Sequence, residues 1–391
     1  MGTRFRFLAG IVVPVLLVGL GACNNSSSSS SAGTGAVFVA SQGDSAVTSF
    51  SIDLSTGKLT ANGSSIPTGS VPSAMILAPS GAVLFIANSG SNNISAYTVK
   101  TDGTLTAAGS TQAAGMTPLG MAMDSAGHFL FVANQGLQID PNSGTVSVFA
   151  VSNTGLTEVP GSPFVVAVPG APGGTGPSGV AVTPDGKFLY VSNQFDSTVS
   201  KFSVDASGVL TRGPVVPVGN TPSTLTITAD GGFLYVANAS TISGFAICGQ
   251  VLTSCSDPTS PDGSLTAAEG SPFSSGINPV AIVAAPSGKF LFVVDRQSNQ
   301  ISQYKVATGT GVLAANTQAV ISTGATPVGA AIRVGTTTVT ATGGTTDYLY
   351  VPNLGSSSVS VYSFDSTVGL LGLVGGPVSI TGGQPGAVAA E

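Results

Sequence analysis

The stretch KFLYVSN at residues 187–193 decides the fold, because its pattern recurs six more times along the chain. Each copy is a run of β-branched and aromatic residues that ends at Ser, Asn or Asp, which is typical of a buried strand closed by a polar turn. The other copies are AVFVAS (36–41), VLFIAN (83–88), HFLFVAN (128–134), GFLYVAN (232–238), KFLFVVD (289–295) and DYLYVPN (347–353). Such regular recurrence predicts a repeat architecture.

Each copy is the second of four strands that the sequence predicts for every repeat. An alternating strand follows it, as TVSKFSV does at 198–204, and a short strand after a turn comes next. The remaining strand is rich in small and apolar residues and begins near a proline. These prolines are Pro72, Pro118, Pro177, Pro222, Pro279, Pro327 and Pro385. Four strands in roughly 46 residues are typical of one β-propeller blade, and the longer repeats contain insertions.

The two ends of the repeat region predict how the ring closes. The first repeat has no proline-led strand of its own, whereas the chain ends on an unassigned one, Pro385–Glu391. If this last strand completes the first repeat, no sheet edge stays open there. We therefore predict an all-β fold, a seven-bladed β-propeller with four-stranded blades over residues 35–391, closed by the C-terminal strand joining the N-terminal blade.

Two repeats also carry a family resemblance. The units GVAVTPDGKFLYVSN (179–193) and TLTITADGGFLYVAN (224–238) resemble the repeats of bacterial YVTN-type propellers, and they are similar to those of the 6-phosphogluconolactonase-like lactonase family. The Gly-Ser-Pro-Phe segments at 161–164 and 270–273 favour the lactonase family. The resemblance implies a propeller over essentially the whole mature chain and, for activity, hydrolysis of a lactone.

The residues before the repeats predict export. Arg4 and Arg6 precede the apolar stretch Phe7–Leu20, which is too short to span a bilayer comfortably and is typical of a cleaved signal peptide. Residues 20–23, Leu-Gly-Ala-Cys, resemble the lipobox of bacterial lipoproteins, which implies that residues 1–22 are removed and that Cys23 carries a lipid. An ordinary signal peptide followed by a chance cysteine is the alternative.

The Ser-rich segment 23–34 predicts a flexible tether between this anchor and the propeller. We expect an exported protein held at the membrane through its lipid, and Asn24 in place of Asp after the cysteine favours the outer membrane or the periplasm. Without Arg4 and Arg6, nine basic residues stand against seventeen acidic ones, a net charge of −8 (9 − 17). This charge argues against a nucleic acid partner.

Candidate site residues fall on the upper face, defined here as the face on which the proline-led strands begin. Two insertions enlarge it, Gln135–Gly144 and Val165–Gly176. Asp295 and Arg296 stand where other repeats have Asn followed by a small or uncharged residue. They could bind an anion or a carboxylate, because a guanidinium holds such groups bidentately. A surface ion pair without function is the alternative.

Three more polar residues of the upper face, Gln135, Asp140 and Gln194, are candidate ligand-binding residues. Asp196 or Asp295 could activate a water molecule if the protein is a hydrolase. Asp140 opens a DPNSG segment that is too short for a known Ca²⁺ loop and is typical of a turn. We therefore predict no metal site and no cofactor.

The remaining chemically distinctive residues favour structural roles. The single histidine, His128, takes the place of Lys187 and Lys289 beside a lower-face turn and is expected to face solvent. No Gly-x-Ser-x-Gly segment occurs, which argues against a Ser-His-Asp hydrolase. Cys248 and Cys255 predict a disulfide within an insertion of the fifth repeat, as expected in an exported protein. The asparagines that end five copies are expected to be structural turn residues, because Asn side chains bond nearby backbone and tolerate left-handed φ.

Three functions remain after this survey. The first is a binding or interaction module on the cell surface, with a protein or a glycan as its ligand on the upper face. The alternative is a lactone hydrolase acting on a non-phosphorylated lactone, because only Arg296 is clearly placed on the upper face to hold a phosphate. A purely structural component of the cell envelope is a third option.

Overall fold

The computed structural model describes residues 35–53, 56–152, 155–167, 174–250, 262–335, 344–380 and 382–391. Within these ranges the chain forms seven antiparallel sheets and one short 3₁₀ turn at Pro141–Ser143. The predicted signal peptide, the lipid site Cys23, the tether and Cys255 lie outside the described residues. No helix in the described ranges is long and apolar enough to cross a membrane.

The first blade is built from both ends of the chain. It contains β1 (Ala36–Ser41), β2 (Ala46–Ile52), β3 (Leu59–Ala61), β4 (Ile66–Pro67) and β33 (Pro385–Ala390). Strand β33 pairs antiparallel with β1, and Val388 lies opposite Val39. The prediction of a seven-membered ring closed by the C-terminal strand is therefore confirmed.

Blades 2 to 4 each begin with their innermost strand, and the following strands are added outward. Blade 2 consists of β5 (Pro72–Leu77), β6 (Val83–Asn88), β7 (Asn93–Val99), β8 (Leu105–Ala107) and β9 (Gln112–Ala113). Blade 3 consists of β10 (Pro118–Met123), β11 (Phe129–Asn134), β12 (Thr145–Ser152), β13 (Gly155–Glu158) and β14 (Phe164–Val165). Blade 4 consists of β15 (Pro177–Val182), β16 (Phe188–Asn193), β17 (Thr198–Val204) and β18 (Leu210–Pro217).

Blades 5 to 7 have the same order. Blade 5 consists of β19 (Thr224–Ile227), β20 (Phe233–Ala237), β21 (Thr241–Ile247), β22 (Leu265–Ala267) and β23 (Phe273–Ser274). Blade 6 consists of β24 (Pro279–Ala284), β25 (Phe290–Asp295), β26 (Gln300–Val306) and β27 (Leu313–Ser322). Blade 7 consists of β28 (Ala331–Arg333), β29 (Thr346–Asn353), β30 (Ser358–Asp365), β31 (Leu371–Leu373) and β32 (Val378–Ser379).

The composition of the innermost strands follows from their crowded position. Strands β5, β10 and β24 are buried at every residue, whereas β27 at the outside of blade 6 exposes most of its residues. Gly120 on β10 shows how close neighbouring blades come, because a Cβ there would lie 2.7 Å from the carbonyl oxygen of Ser178. Small residues are therefore required where the innermost strands meet around the channel.

Five of the seams between neighbouring blades share one packing arrangement, an aromatic ring against a turn glycine. In the seam of blades 4 and 5, the ring of Phe188 lies against Gly263, where a Cβ would be 2.5 Å from the ring. The hydroxyl of Tyr190 donates to the carbonyl oxygen of the same glycine at 2.6 Å. In the next seam Tyr235 donates in the same way to Gly311 at 2.7 Å. An aromatic pair and a turn glycine thus join one blade to the next.

Candidate functional site

The upper mouth of the channel is framed by one residue from each blade, the residue that follows the second strand. These seven residues, called here the mouth ring, are Gln42, Ser89, Gln135, Gln194, Ala239, Arg296 and Leu354. In six blades the backbone N–H of this residue donates to the carbonyl of the residue just before the inner-strand proline, over 2.8 to 3.0 Å. The mouth ring is therefore a uniform backbone frame that carries different side chains.

The carbonyl that accepts this bond belongs to a residue with left-handed φ. Val71, Thr117 and Thr326 have φ values of +52°, +53° and +54°, although β-branched residues seldom adopt this conformation. The asparagines at the strand ends are not among the residues with left-handed φ. Four of them are the last residue of a strand and Asn238 directly follows one, while the left-handed residues precede the prolines or, like Asn92, follow four positions after the asparagine.

A layer of buried side chains directly precedes the mouth ring and, in blades 2 to 7, ties the second strand to the third. Five of its members are asparagines that are at most 1% exposed: Asn88, Asn134, Asn193, Asn238 and Asn353. Asn193, for example, donates its amide to the hydroxyls of Thr198 and Ser200 at 2.9 Å each. This asparagine layer is nearly constant because the fold uses it, whereas the mouth ring varies from blade to blade.

Asp295, a predicted catalytic residue, is the member of this layer from blade 6 and is fully buried. Its carboxylate accepts hydroxyl hydrogen bonds from Ser302 at 2.6 Å and from Ser275 at 3.0 Å. Burial raises the pKa of Asp295 to about 6, although the two hydroxyls act in the opposite direction. Gly276 lies directly against the carboxylate, because a Cβ added to Gly276 would be 2.4 Å from the carboxyl carbon of Asp295. The carboxylate does not reach the upper mouth.

Arg296 is the cation of the mouth ring and is half-buried. Its Nη1 is buried and has no hydrogen-bond acceptor. Burial lowers the pKa of this guanidinium, which stays charged because its ordinary value is very high. Between these two described residues, Arg296 and Asp295, there is no ion pair, so the alternative of a surface ion pair is wrong. The Arg296 guanidinium retains hydrogen-bonding capacity that the protein leaves unused.

Blades 1 to 4 contribute a continuous arc of uncharged polar side chains to the mouth ring. The amide of Gln135 donates to the amide oxygen of Gln194 at 2.7 Å, which joins blades 3 and 4. Gln42 donates to the carbonyl of Pro72 at 3.2 Å, and Ser89 donates to the carbonyl of Val71 at 3.0 Å. The structure thus brings two predicted ligand-binding residues, Gln135 and Gln194, into direct contact.

The other two predicted acidic site residues serve loops outside this ring. Asp196 accepts hydrogen bonds from the backbone N–H and the hydroxyl of Thr175, and it thereby holds the end of an insertion. Asp140 is exposed and caps the 3₁₀ turn by accepting from the N–H of Asn142 at 3.0 Å. Neither carboxylate is oriented by a hydrogen bond to a residue of the mouth ring.

A cavity of about 110 Å³ lies at the lower mouth of the channel, where the innermost strands of blades 2 to 6 end. Its walls are mainly apolar and include Ile76, Val180 and Ile282. The hydroxyl groups in its wall already have partners. The hydroxyl of Thr183 donates to Asp185 at 2.6 Å, and the hydroxyl of Thr228 donates to Asp230 at 2.6 Å. The lower cavity therefore offers an apolar surface with few free polar groups.

Asp124 is the acidic residue in the wall of this lower cavity. One of its oxygens accepts from the N–H of Phe129 at 2.6 Å, and the other lies 3.6 Å from Nδ1 of His128. The imidazole side chain is 73% exposed, in keeping with the expected solvent-facing turn. An exposed imidazole next to a carboxylate at the edge of a cavity can act as a proton acceptor.

The described residues contain no candidate metal site, and the described cysteine has a structural role. Within the described residues no group of three or more His, Cys, Asp or Glu side chains could hold a metal ion. Cys248 is disulfide-bonded and almost fully buried, and its predicted partner lies outside the described residues.

Sequence reasoning missed four members of the mouth ring, the polar residues Gln42 and Ser89 and the apolar residues Ala239 and Leu354. It singled out Gln135, Gln194 and Arg296 because they lie in unusual segments, not because they are equivalent. The signal was nevertheless present, since all of these residues come directly after the last residue of the repeated strand pattern. Comparing the seven copies one residue further along would have identified the whole ring.

The fold and this site define a seven-bladed β-propeller whose upper mouth is polar and nearly uncharged. The chain belongs to the family described as "Lactonase, 7-bladed beta-propeller", which it matches over residues 68–170, 142–248 and 262–389. No curated protein matches the chain in sequence.

Solved structures with the same fold are distant in sequence. The periplasmic gluconolactonase of Pseudomonas aeruginosa is 21% identical, with a TM-score of 0.67 over 91% of this chain and 98% of that one. A Bacteroides uniformis protein described as a candidate 6-phosphogluconolactonase is 19% identical, with a TM-score of 0.68 over 92% and 100%. A Lactobacillus plantarum protein is also 19% identical, with a TM-score of 0.69 over 92% and 99%. At these identities the likeness concerns the fold.

Proposed function

We propose that this protein is a binding propeller that holds a neutral, hydroxyl-rich ligand, such as a glycan, over the mouth ring. The observation that carries the proposal is the contrast between two adjacent layers. The asparagine layer has the same residue in five of the seven blades because it ties strands together, whereas the mouth ring directly above it contains five residue types, with glutamine in three blades. Positions that the fold leaves free to vary are the ones available for recognition.

The side chains of the mouth ring suit such a ligand. The amides of Gln42, Gln135 and Gln194 can each donate and accept hydrogen bonds, as the hydroxyl groups of a sugar require. Arg296 adds a donor whose capacity the protein leaves unused. Each hydrogen bond contributes only about 0.5 to 1.5 kcal/mol net, so several must act together.

The same residues argue for binding without turnover at the upper mouth. Hydrolysis of a lactone needs a base that can reach the attacking water. Asp295 is buried beneath Gly276, and Asp196 is held by Thr175. Neither is positioned for this role.

The proposal includes a location at the cell envelope, which rests on the sequence before residue 35. An anchor on Cys23 and the Ser-rich tether would hold the propeller at a membrane while leaving the mouth ring exposed to large ligands. Labelling with a radioactive fatty acid, with Cys23→Ser as the comparison, tests the anchor. Label that persists in Cys23→Ser would contradict it.

Glycan binding is tested by titrating the purified protein with a panel of neutral oligosaccharides in a calorimeter. Gln194→Ala and Arg296→Ala are each expected to weaken binding of a selected glycan by roughly tenfold, which corresponds to one lost hydrogen bond of about 1.4 kcal/mol. Gln318→Ala, a change of an exposed glutamine on β27, is the matched control. Equal affinity in all three variants would rule out the mouth ring as the site.

Hydrolysis of a non-phosphorylated lactone is the second candidate function. It is favoured by membership of the lactonase family and by the pairing of Asp124 with His128 beside the lower cavity. In this case Asp124 would orient the imidazole, and His128 would take the proton from the attacking water.

A lactone panel distinguishes the two candidates. If the protein hydrolyses a lactone faster than the uncatalysed reaction, His128→Gln is expected to remove most of the activity. Lys289→Ala, at the equivalent place of blade 6, is expected to leave it unchanged. No hydrolysis of any lactone would exclude this second candidate, while loss of activity in Arg296→Ala alone would move the active site to the upper mouth.

A further inference from the structure

The mouth ring has two chemically different halves. The members from blades 1 to 4, called here the polar half, are Gln42, Ser89, Gln135 and Gln194. The members from blades 5 to 7, called here the mixed half, are Ala239, Arg296 and Leu354. The polar half can exchange hydrogen bonds with hydroxyl groups throughout. The mixed half instead offers apolar side chains on both sides of one guanidinium.

Ile277 adds a large apolar side chain next to the mixed half. It is 55% exposed, although its backbone is fixed on both sides. Its N–H donates to the hydroxyl oxygen of Ser298 at 3.0 Å, and its carbonyl accepts from the N–H of Gln297 at 3.2 Å. A large apolar side chain that a well-anchored backbone presents to water marks a surface suited to binding.

Backbone hydrogen bonds place Ile277 between two members of the mixed half. The next residue, Asn278, donates its N–H to the carbonyl of Ala239 in blade 5 at 2.9 Å. The carbonyl of Asn278 accepts from the N–H of Arg296 in blade 6, also at 2.9 Å. The exposed isoleucine therefore lies beside both the small apolar member and the cation.

Leu354 is tied to blade 6 in a similar way. Its N–H donates to the carbonyl of Thr326 at 2.9 Å, and the N–H of Thr326 donates to the side-chain oxygen of Asn299 in blade 6 at 2.7 Å. The mixed half is thus a connected surface that runs from blade 5 to blade 7. Arg296 stands at its centre with a guanidinium nitrogen, Nη1, that has no acceptor.

This surface requires two properties of the group that covers it. The group needs a hydrogen-bond acceptor for Arg296, and it needs an apolar part to cover the exposed side chains. A sugar hydroxyl provides only the first property, and an alkyl chain provides only the second. An acyl group, joined through an ester or an amide, provides both, because its carbonyl oxygen accepts hydrogen bonds and its alkyl part is apolar.

We propose that the ligand of the mouth ring is an acylated glycan. Its hydroxyl groups lie over the polar half, where Gln135 and Gln194 bind them. The carbonyl oxygen of its acyl group accepts a hydrogen bond from Arg296, and the alkyl part of that group packs on Ile277 and Leu354. The inference rests on the proposed glycan-binding function and adds to it the chemical class of the ligand.

Two matched pairs of trisaccharides, titrated in a calorimeter, test the proposal. Cellotriose and triacetylchitotriose have the same linkage, but the second has an acetamido group in place of one hydroxyl on each ring. Xylotriose and its O-acetylated form make the same comparison for an ester. We expect the acetylated member of at least one pair to bind about tenfold more tightly, because it adds a hydrogen bond and a buried methyl group. The pair that shows the preference identifies the amide or the ester as the source.

Four variants locate the acyl group. Ile277→Ser and Arg296→Met are each expected to make the affinities for the two members of the preferred pair nearly equal. Gln194→Ala is expected to weaken binding of both members by the same factor, because it changes the polar half. Val320→Ser, at a side chain that is 48% exposed on β27, is the matched control and should keep the full preference.

The outcomes separate this inference from the function on which it rests. If unacetylated glycans bind and neither acetylated trisaccharide binds more tightly, the inference is wrong and the proposed function stands. If no glycan of any kind binds, both are wrong. A preference that persists unchanged in Ile277→Ser and Arg296→Met would place the acyl group outside the mixed half and overturn the inference.

Discussion

Position 295 shows how one substitution within a repeat changes the electrostatics of a blade and leaves its backbone unchanged. In five blades an asparagine fills this place and donates to the third strand. Asp295 has no proton to donate when ionised, so the direction of the bond reverses and the hydroxyl of Ser302 becomes the donor. The carboxylate keeps the strands joined, but its charge is buried at a free-energy cost.

The pH dependence of stability follows from that buried charge. The folded-state pKa of Asp295, about 6, is above the value of 3.8 for an ordinary aspartate. Between pH 4 and pH 6 the folded state therefore binds a proton that the unfolded state has released, and this residue's contribution to stability falls as the pH rises through that window. Above pH 6 the full penalty is present, on the order of 3 kcal/mol.

We expect Asp295→Asn to remove this penalty. The free energy of unfolding at pH 8 should rise by roughly 1 to 3 kcal/mol, and the gain should shrink towards pH 4. Denaturant unfolding at intervals from pH 4 to pH 8 measures the effect. Asp140→Asn, at an exposed carboxylate, serves as the comparison and should change little. A gain of the same size at both ends of the pH range would contradict the buried charge as its cause.

The seam is the element that decides how firmly one blade holds the next. In five seams an aromatic ring packs on a turn glycine, namely Gly57, Gly208, Gly263, Gly311 or Gly369. The ring leaves no room for a side chain there, and the left-handed φ of the glycine, +72° at Gly263, disfavours one as well. Because the same arrangement recurs, a change in one seam can be compared with the same change in another.

Removing one seam hydroxyl should therefore have an effect that depends on its acceptor. Tyr235→Phe leaves the carbonyl of Gly311 with one hydrogen bond fewer, and the free energy of unfolding should fall by about 1 kcal/mol. Tyr350 takes the place of Tyr235 in the seam of blades 7 and 1, and its buried hydroxyl has no acceptor, so Tyr350→Phe should be neutral or slightly stabilising. Urea unfolding of both variants measures this difference, and equal losses would mean that the seams do not differ in this way.

At the scale of the whole molecule, stability depends on the pairing of β1 with β33. Val388 on β33 is 1% exposed and lies opposite Val39. Val388→Asp would bury an unpaired carboxylate at this junction and should cost about 3 kcal/mol or more. Val320→Asp, at a position that is 48% exposed on the outermost strand of blade 6, should cost little. Thermal unfolding compares the two, and equal stability would contradict the closing role of β33.

The sequence predicted this architecture well because the same pattern of buried strands and turns occurs seven times. The strand pattern around residues 187–193 reports burial, the prolines mark the innermost strands, and the unassigned strand at 385–391 can only complete the first blade. The site was harder to predict. Asp295 and Arg296 are adjacent in sequence, but neighbouring strand residues point to opposite faces, so one is buried and the other lies at the mouth. Hydrogen bonds such as the one between Gln135 and Gln194 join residues from different blades, and no local pattern reports them.

The pairing of the two terminal strands also fixes the orientation of the propeller. Val37 near the start of β1 lies opposite Ala390 near the end of β33, so both ends of the fold leave from the lower face. A support joined to the chain by a short rigid link before Gly35 would therefore face the lower side of the propeller and leave the mouth ring accessible on the opposite side. A protein fused after Glu391 would emerge next to the attachment point.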